Sequence, residues 1–259
     1  GKKECDELKG KLNELKEKLN NFTSSNDIFI LALHNLLGNS KERNIKSAFK
    51  NLKKSSEKGN SYSSYLLGLL YANGKFVEGD FDKAKFYFKL SSKQGNSAGY
   101  YGIAWHYSFG YGVKQDYSKS AKYYGKAAEQ GNSDSMNNLG WFYYCGKGVK
   151  KNYSKALEYY QMAINLNNPY AYNNLASLYY NGQGVKKDYS KAVEYYKKAI
   201  EFGDSSAPLN LGFLFENGYG VEQNYSKAIE YYQKAADLGN PVAMFNLGLA
   251  YEKGQGVEQ

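Results

Sequence analysis

The sequence predicts an all-α protein built as a solenoid of antiparallel helix pairs, on three observations. First, a Gly-Val pair returns at Gly112-Val113, Gly148-Val149, Gly184-Val185, Gly220-Val221 and Gly256-Val257, 36 residues apart each time. Self-similarity at a fixed period of this size marks a repeat architecture. Second, each period holds two segments with helical apolar spacing, for example Ser133 to Cys145 and Asn152 to about Asn165. Third, helix-start and helix-stop residues recur in the same phase as the Gly-Val pair.

Those punctuating residues have physical roles. Asn44, Asp80, Asp116, Asn152, Asp188 and Asn224 precede the second helix of each period. There a side-chain oxygen satisfies an orphan backbone N–H, worth about 1 kcal/mol. Gly59, Gly95, Gly131, Gly203 and Gly239 close the second helices, with Asn167 in that place once, where a positive φ is wanted. Pro169 and Pro241 stand where the next helix starts, a position that tolerates proline. Gly74, Gly110, Gly146, Gly182, Gly218 and Gly254 lie in the turn inside each pair. With no Gly-Lys-Ser/Thr ending and no preceding strand, this is turn chemistry and not a phosphate loop.

Packing positions repeat as well. Leu67, Leu139, Leu175, Leu211 and Leu247 are each followed by Gly or Ala, and Tyr71, Tyr107, Tyr143, Tyr179, Phe215 and Tyr251 come four later. The small residue is expected to allow close helix approach and the ring to fill the space between units. Paired aromatics mark the second helices (Tyr87-Phe88, Tyr123-Tyr124, Tyr159-Tyr160, Tyr195-Tyr196, Tyr231-Tyr232) and account for many of the 28 tyrosines.

Two regions follow from this. Residues 1–25 form an N-terminal segment in which Leu8, Leu12, Leu15, Leu19 and Phe22 make one apolar helical stripe. It reads either as a cap on the first repeat or as a short coiled-coil element. Residues 26–259 form the solenoid, its first repeat degenerate and its last truncated before a second helix. The start at Gly1 and the end in mid-repeat lead us to expect a piece of a longer protein. The opening carries no secretory-signal pattern, and the apolar run from Ile28 to Leu37 is too short to span a bilayer. Cytoplasm is the default compartment.

The pattern A-x-x-x-L-G-x-x-Y-x-x-G-x-G-V followed by D-x-x-K-A-x-x-Y-Y-x-K-A-A-x-x-G resembles the Sel-one-like repeat, a relative of the tetratricopeptide repeat. Ala243 to Val257 and Asp188 to Gly203 carry it nearly in full. Ile103-Ala104 departs from Leu-Gly, and the first copy lacks Gly-Val. The resemblance implies a right-handed superhelix with the first helices lining its concave face. It implies a scaffold or adaptor that binds a protein or peptide in that groove. The alternative is a substrate-recognition or regulatory module of a larger signalling or ER-degradation enzyme.

A partner would be recognised where copies differ. Asn138, Asn174, Asn210 and Asn246 each precede the Leu; an amide there offers donor and acceptor to a peptide backbone, or is simply solvated. Two residues after the Leu the chain reads Leu69, Trp105, Trp141, Ser177, Phe213 and Leu249. Trp105, Trp141 and Phe213, with Tyr101, Asn137 and Tyr144 on the same predicted face, are candidate anchors; the competing reading packs these rings between repeats.

Other classes find less support. The two histidines, His34 and His106, and the two cysteines, Cys5 and Cys145, form no cluster with metal-ligand or catalytic spacing, so no enzyme activity and no cofactor is expected. Cys145 reads as a small buried residue. The net charge of +9 and pI near 9.1 permit acidic partners, yet Lys150, Lys151, Lys186, Lys187 and Lys191 are mixed with Glu and read as a solvated outer face, which argues against nucleic acid.

Overall fold

The computed structural model describes residues 44–74 and 77–256. The N-terminal segment, the first helix of the degenerate repeat, His34 and Cys5 lie outside the described residues. Twelve α-helices follow one another, and no strand occurs among the described residues. The chain divides after Gly131 into two compact units.

The first unit contains α1 (Ile45–Glu57), α2 (Ser61–Asn73), α3 (Phe81–Lys93), α4 (Ala98–Phe109) and α5 (Tyr117–Glu129). The second contains α6 (Ser133–Cys145), α7 (Tyr153–Ile164), α8 (Pro169–Asn181), α9 (Tyr189–Glu201), α10 (Ala207–Asn217), α11 (Tyr225–Asp237) and α12 (Pro241–Glu252). Even-numbered helices are the first of each pair and odd-numbered ones the second. Each pair packs closely along its length.

The helix starts are where the sequence puts them. The side chains of Asn44, Asp80, Asp116, Asn152, Asp188 and Asn224 all accept from the backbone N–H three residues on, at 2.9–3.0 Å. Asn60, Asn132, Asn168 and Asn240 cap first helices in the same way. At the helix ends, Asn167 (φ 56°) is the one non-glycine with positive φ among the described residues.

The aromatic columns divide the packing between them. The second ring of each pair, Phe88, Tyr124, Tyr160, Tyr196 or Tyr232, is buried beneath the first helix. A methyl on Gly140 would stand 2.7 Å from the Tyr160 ring, and one on Gly212 2.8 Å from Tyr232. The tyrosine four after the leucine meets the neighbouring unit as expected at Tyr71 and Tyr107, and it has a second partner that spacing did not show. It stacks inside its own helix pair, on the first ring of the second helix: Tyr71 on Tyr87, Tyr107 on Tyr123, Tyr143 on Tyr159 and Tyr179 on Tyr195, at 5.5–5.9 Å and within 12° of parallel. A lysine of the second helix caps each stack, such as Lys155 Nζ 5.1 Å from the Tyr143 centroid. The short turn brings the end of one helix beside the start of the next, so these rings meet; the preceding second helix reaches the same column from the other side, with Phe49 5.4 Å from Tyr71 and Phe81 6.1 Å from Tyr107.

Candidate protein-binding faces

Charge is segregated by helix type. Every lysine within a described helix lies on a second helix; the first helices carry no lysine or arginine and three carboxylates, Asp134, Glu216 and Glu252. In a chain of net charge +9, the first helices are themselves neutral to weakly acidic, and lysine reaches their side from the turns, as Lys147 does over Trp141. The candidate residues all lie there.

In the first unit, Trp105 on α4 is 36 % exposed. Its ring lies 5.1 Å from Phe109 and 5.0 Å from Tyr111, both of which face solvent. Tyr101 is half-buried against Tyr124 at 5.7 Å. Sequence reasoning missed Phe109 and Tyr111, because their columns are mostly polar or small: Asn73, Cys145, Asn181 and Asn217 for Phe109, and Lys75, Lys147 and Gln183 for Tyr111, which only Tyr219 matches. Beneath them, buried His106 donates from Nδ1 to the Tyr111 carbonyl at 2.8 Å, which fixes its tautomer and holds the turn. Burial pushes the His106 pKa below its ordinary value.

At the position of His106 the chain also places His34, Leu70, Phe142, Leu178, Leu214 and Ala250. Because the folded state binds the proton less readily, stability is full above the unfolded pKa of about 6.5 and is lost as pH falls below it. His106→Leu is therefore expected to flatten the decline in Tm between about pH 7.5 and 5, measured by thermal melts across that range. An unchanged decline in the variant would remove His106 as its source.

In the second unit, Trp141 on α6 is 38 % exposed, with Lys147 Nζ 4.5 Å from its ring centroid. Tyr144 packs on Tyr153 at 5.6 Å. Asn137 is 8 % exposed, and its Oδ1 accepts from Asn174 Nδ2 at 2.8 Å. Asn210 Nδ2 donates likewise to Asn173 Oδ1 at 3.0 Å. Asn246 hydrogen-bonds the Tyr232 hydroxyl, which donates to Glu216 at 2.6 Å. The asparagine column thus tethers neighbouring helices. Asn174 and Asn210 each give one amide hydrogen to this task, and Asn138 is half-buried.

A cleft of about 210 Å³ opens where the variable column narrows to Ser177, between α8 and α10. Tyr180, Asn181, Tyr196, Asn210 and Phe213 line it. Phe213 is 40 % exposed, and Tyr219 lies 6.1 Å from its ring. The Ser177 hydroxyl is 3.1 Å from the Tyr196 hydroxyl, whose pKa burial pushes up to about 12. The site stays uncharged near neutral pH, with aromatic walls and hydroxyl and amide groups at its floor. It suits a side chain from an extended segment. A sequence scan names Ser177 in the column but cannot show that its neighbours leave the space unfilled.

Cys145 corrects an expectation. It is exposed, because the last residue of each first helix before the turn glycine points to solvent, as Phe109, Asn181 and Asn217 also do. Partial burial raises its thiol pKa, which disfavours the reactive thiolate. Among the described residues no group of three His, Cys, Asp or Glu side chains could hold a metal ion, and no helix is long and apolar enough to cross a membrane.

Repeating helix pairs with a recurring interior and a varied first-helix face define an α-helical repeat solenoid. The Sel1 repeat family model matches residues 28–60, 61–96, 97–132, 133–168, 169–204, 205–240 and 241–259, and the chain belongs to that family. Its repeats generally serve protein–protein interaction, and its scaffolds are typically non-enzymatic. No curated protein matches the sequence significantly. Among solved structures it is similar to c5321, a protective antigen present in uropathogenic Escherichia coli strains, with a TM-score of 0.81 and 30 % identity over 94 % of this chain. This chain covers 52 % of that protein, about half its length. A Sel1 repeat protein from Oxalobacter formigenes matches with a TM-score of 0.76 and 30 % identity, covering 88 % of this chain and 90 % of that one.

Proposed function

We propose that the chain binds an extended peptide segment of a protein partner on its first-helix side, with the Ser177 cleft as a side-chain pocket. The observation that supports this best is the union of half-exposed rings, a polar-floored cleft and first helices that carry no lysine or arginine of their own. Trp141 and Phe213 serve as anchors of the second unit; the first unit, taken by itself, offers Trp105. Tyr101, Asn138 and Tyr144 flank them, and the carbonyl oxygens of Asn174 and Asn210 accept from the peptide backbone. Asn137 and Asn246 position their neighbours. The uncharged cleft and the lysine-free first helices suit a segment that is itself largely neutral.

Selection from a random peptide library tests this reading. Peptides enriched on the wild type are expected to bind Phe213→Ala at least tenfold more weakly, as loss of a hot-spot anchor worth about 2 kcal/mol requires. Trp105→Ala and Trp141→Ala, measured separately, report on each unit. Equal affinity for all three variants, with helical content intact, would discard the first-helix side as the binding face.

A further inference from the structure

One outward column of the second helices changes sign between the two units. At the same repeat position the first unit carries Lys50, Phe86 and Lys122, and the second carries Glu158, Glu194 and Glu230. All six are exposed, Phe86 to 61 %. In the second unit two of these glutamates pair within their own helices, Glu194 with Lys198 at 3.1 Å and Glu230 with Lys234 at 2.7 Å, while Glu158 has Met162 four residues on. In the first unit the corresponding neighbours are Lys50 with Lys54 and Lys122 with Lys126, like charges four residues apart. Such pairs disfavour the helix, so folding does not account for them.

The rest of that face agrees. Lys89 and Lys93 add exposed charge on α3, while Glu57, Asp82 and Glu129 are the only carboxylates within α1, α3 and α5. The three helices are joined at their C-terminal ends by Gln94 Nε2 to the Ser56 carbonyl at 2.9 Å and Gln130 Nε2 to the Ser92 carbonyl at 3.4 Å. They present one broad basic face with a phenyl ring amid the lysines. Phe86 is propped outward edge-on against Tyr87, at 5.1 Å and 80°.

We propose that this second-helix face of the first unit docks on an anionic lipid bilayer, Phe86 entering the boundary between headgroups and acyl chains while the lysines meet lipid phosphates. A basic surface with a projecting aromatic is suited to that boundary. Within α1, α3 and α5 the cations are all lysines, compact charges without the planar fork that reads nucleic-acid bases. The docking side is separate from the first-helix side, so peptide binding stands or falls independently.

Co-sedimentation with vesicles of phosphatidylcholine, alone or with one-third phosphatidylglycerol, tests the proposal. Binding is expected to the mixed vesicles only, and to weaken as salt rises. Lys50→Glu/Lys122→Glu is expected to lower it at least tenfold. That variant restores the residue of the second unit and creates pairs with Lys54 and Lys126, so lost folding would not explain the result. Phe86→Ala is expected to weaken binding several-fold at unchanged net charge. Equal binding to both vesicles, or no effect of the lysine substitutions, overturns the proposal. So does tighter binding of a duplex oligonucleotide through the same lysines.

Discussion

Tyr160→Ala lowers the free energy of unfolding by about 3–5 kcal/mol, the range for removing a large buried ring from a tight site. The ring is 2 % exposed and lies beneath Gly140, whose missing side chain is what lets α6 close on it. Truncation therefore leaves a cavity that the two helices cannot collapse without sliding. Tyr160→Phe keeps the ring and is expected to cost far less, since Phe88 occupies the same repeat position in the first unit. Urea denaturation followed by circular dichroism measures both. In a stacked repeat the loss concentrates on the α6–α7 pair and its neighbours, so the alanine variant is expected to broaden or split the transition. A change under about 1 kcal/mol for Tyr160→Ala would mean that the ring column does not hold the pairs together.

Gly184→Ala is expected to cost about 2–4 kcal/mol through two separable terms. Gly184 adopts φ +73°, and a methyl there would stand 2.7 Å from Tyr153 Cβ and 3.0 Å from its backbone carbon. The turn after α8 thus rests on the first residue of α7, one pair earlier. Gly203→Ala is the control: φ is +91°, yet nothing lies within 4 Å of the added methyl. The control carries only the conformational penalty, about 1–2 kcal/mol. The excess in Gly184→Ala measures the close contact between repeats. If the two variants melt together, that contact contributes nothing.

Much of the molecule was legible because each repeat restates the same local rules. Asn152 could be named as a cap from sequence, since the bond from Lys155 N spans only three residues. Asn167 could be named as the glycine substitute by its phase alone. The tyrosine column shows the limit of such reading. Spacing placed Tyr143 on the interior, but its partner Tyr159 lies 16 positions on, across a turn whose geometry decides which rings meet. Asn137 and Asn174 were read as groove residues on helical phase. Phase fixes the direction of a side chain, whereas their mutual hydrogen bond depends on how far apart the neighbouring helices lie.

By itself, the sequence determined the repeat length, the helix pairs, their caps and the family, because these rest on short-range bonds and a pattern written several times. Only the tertiary structure decided that Trp105, Trp141 and Phe213 are half-exposed, that Ser177 leaves a cleft beside Phe213, and that Lys50, Phe86 and Lys122 are all exposed. Exposure and free volume are properties of residues dozens of positions apart, set by the packing of one helix pair on the next.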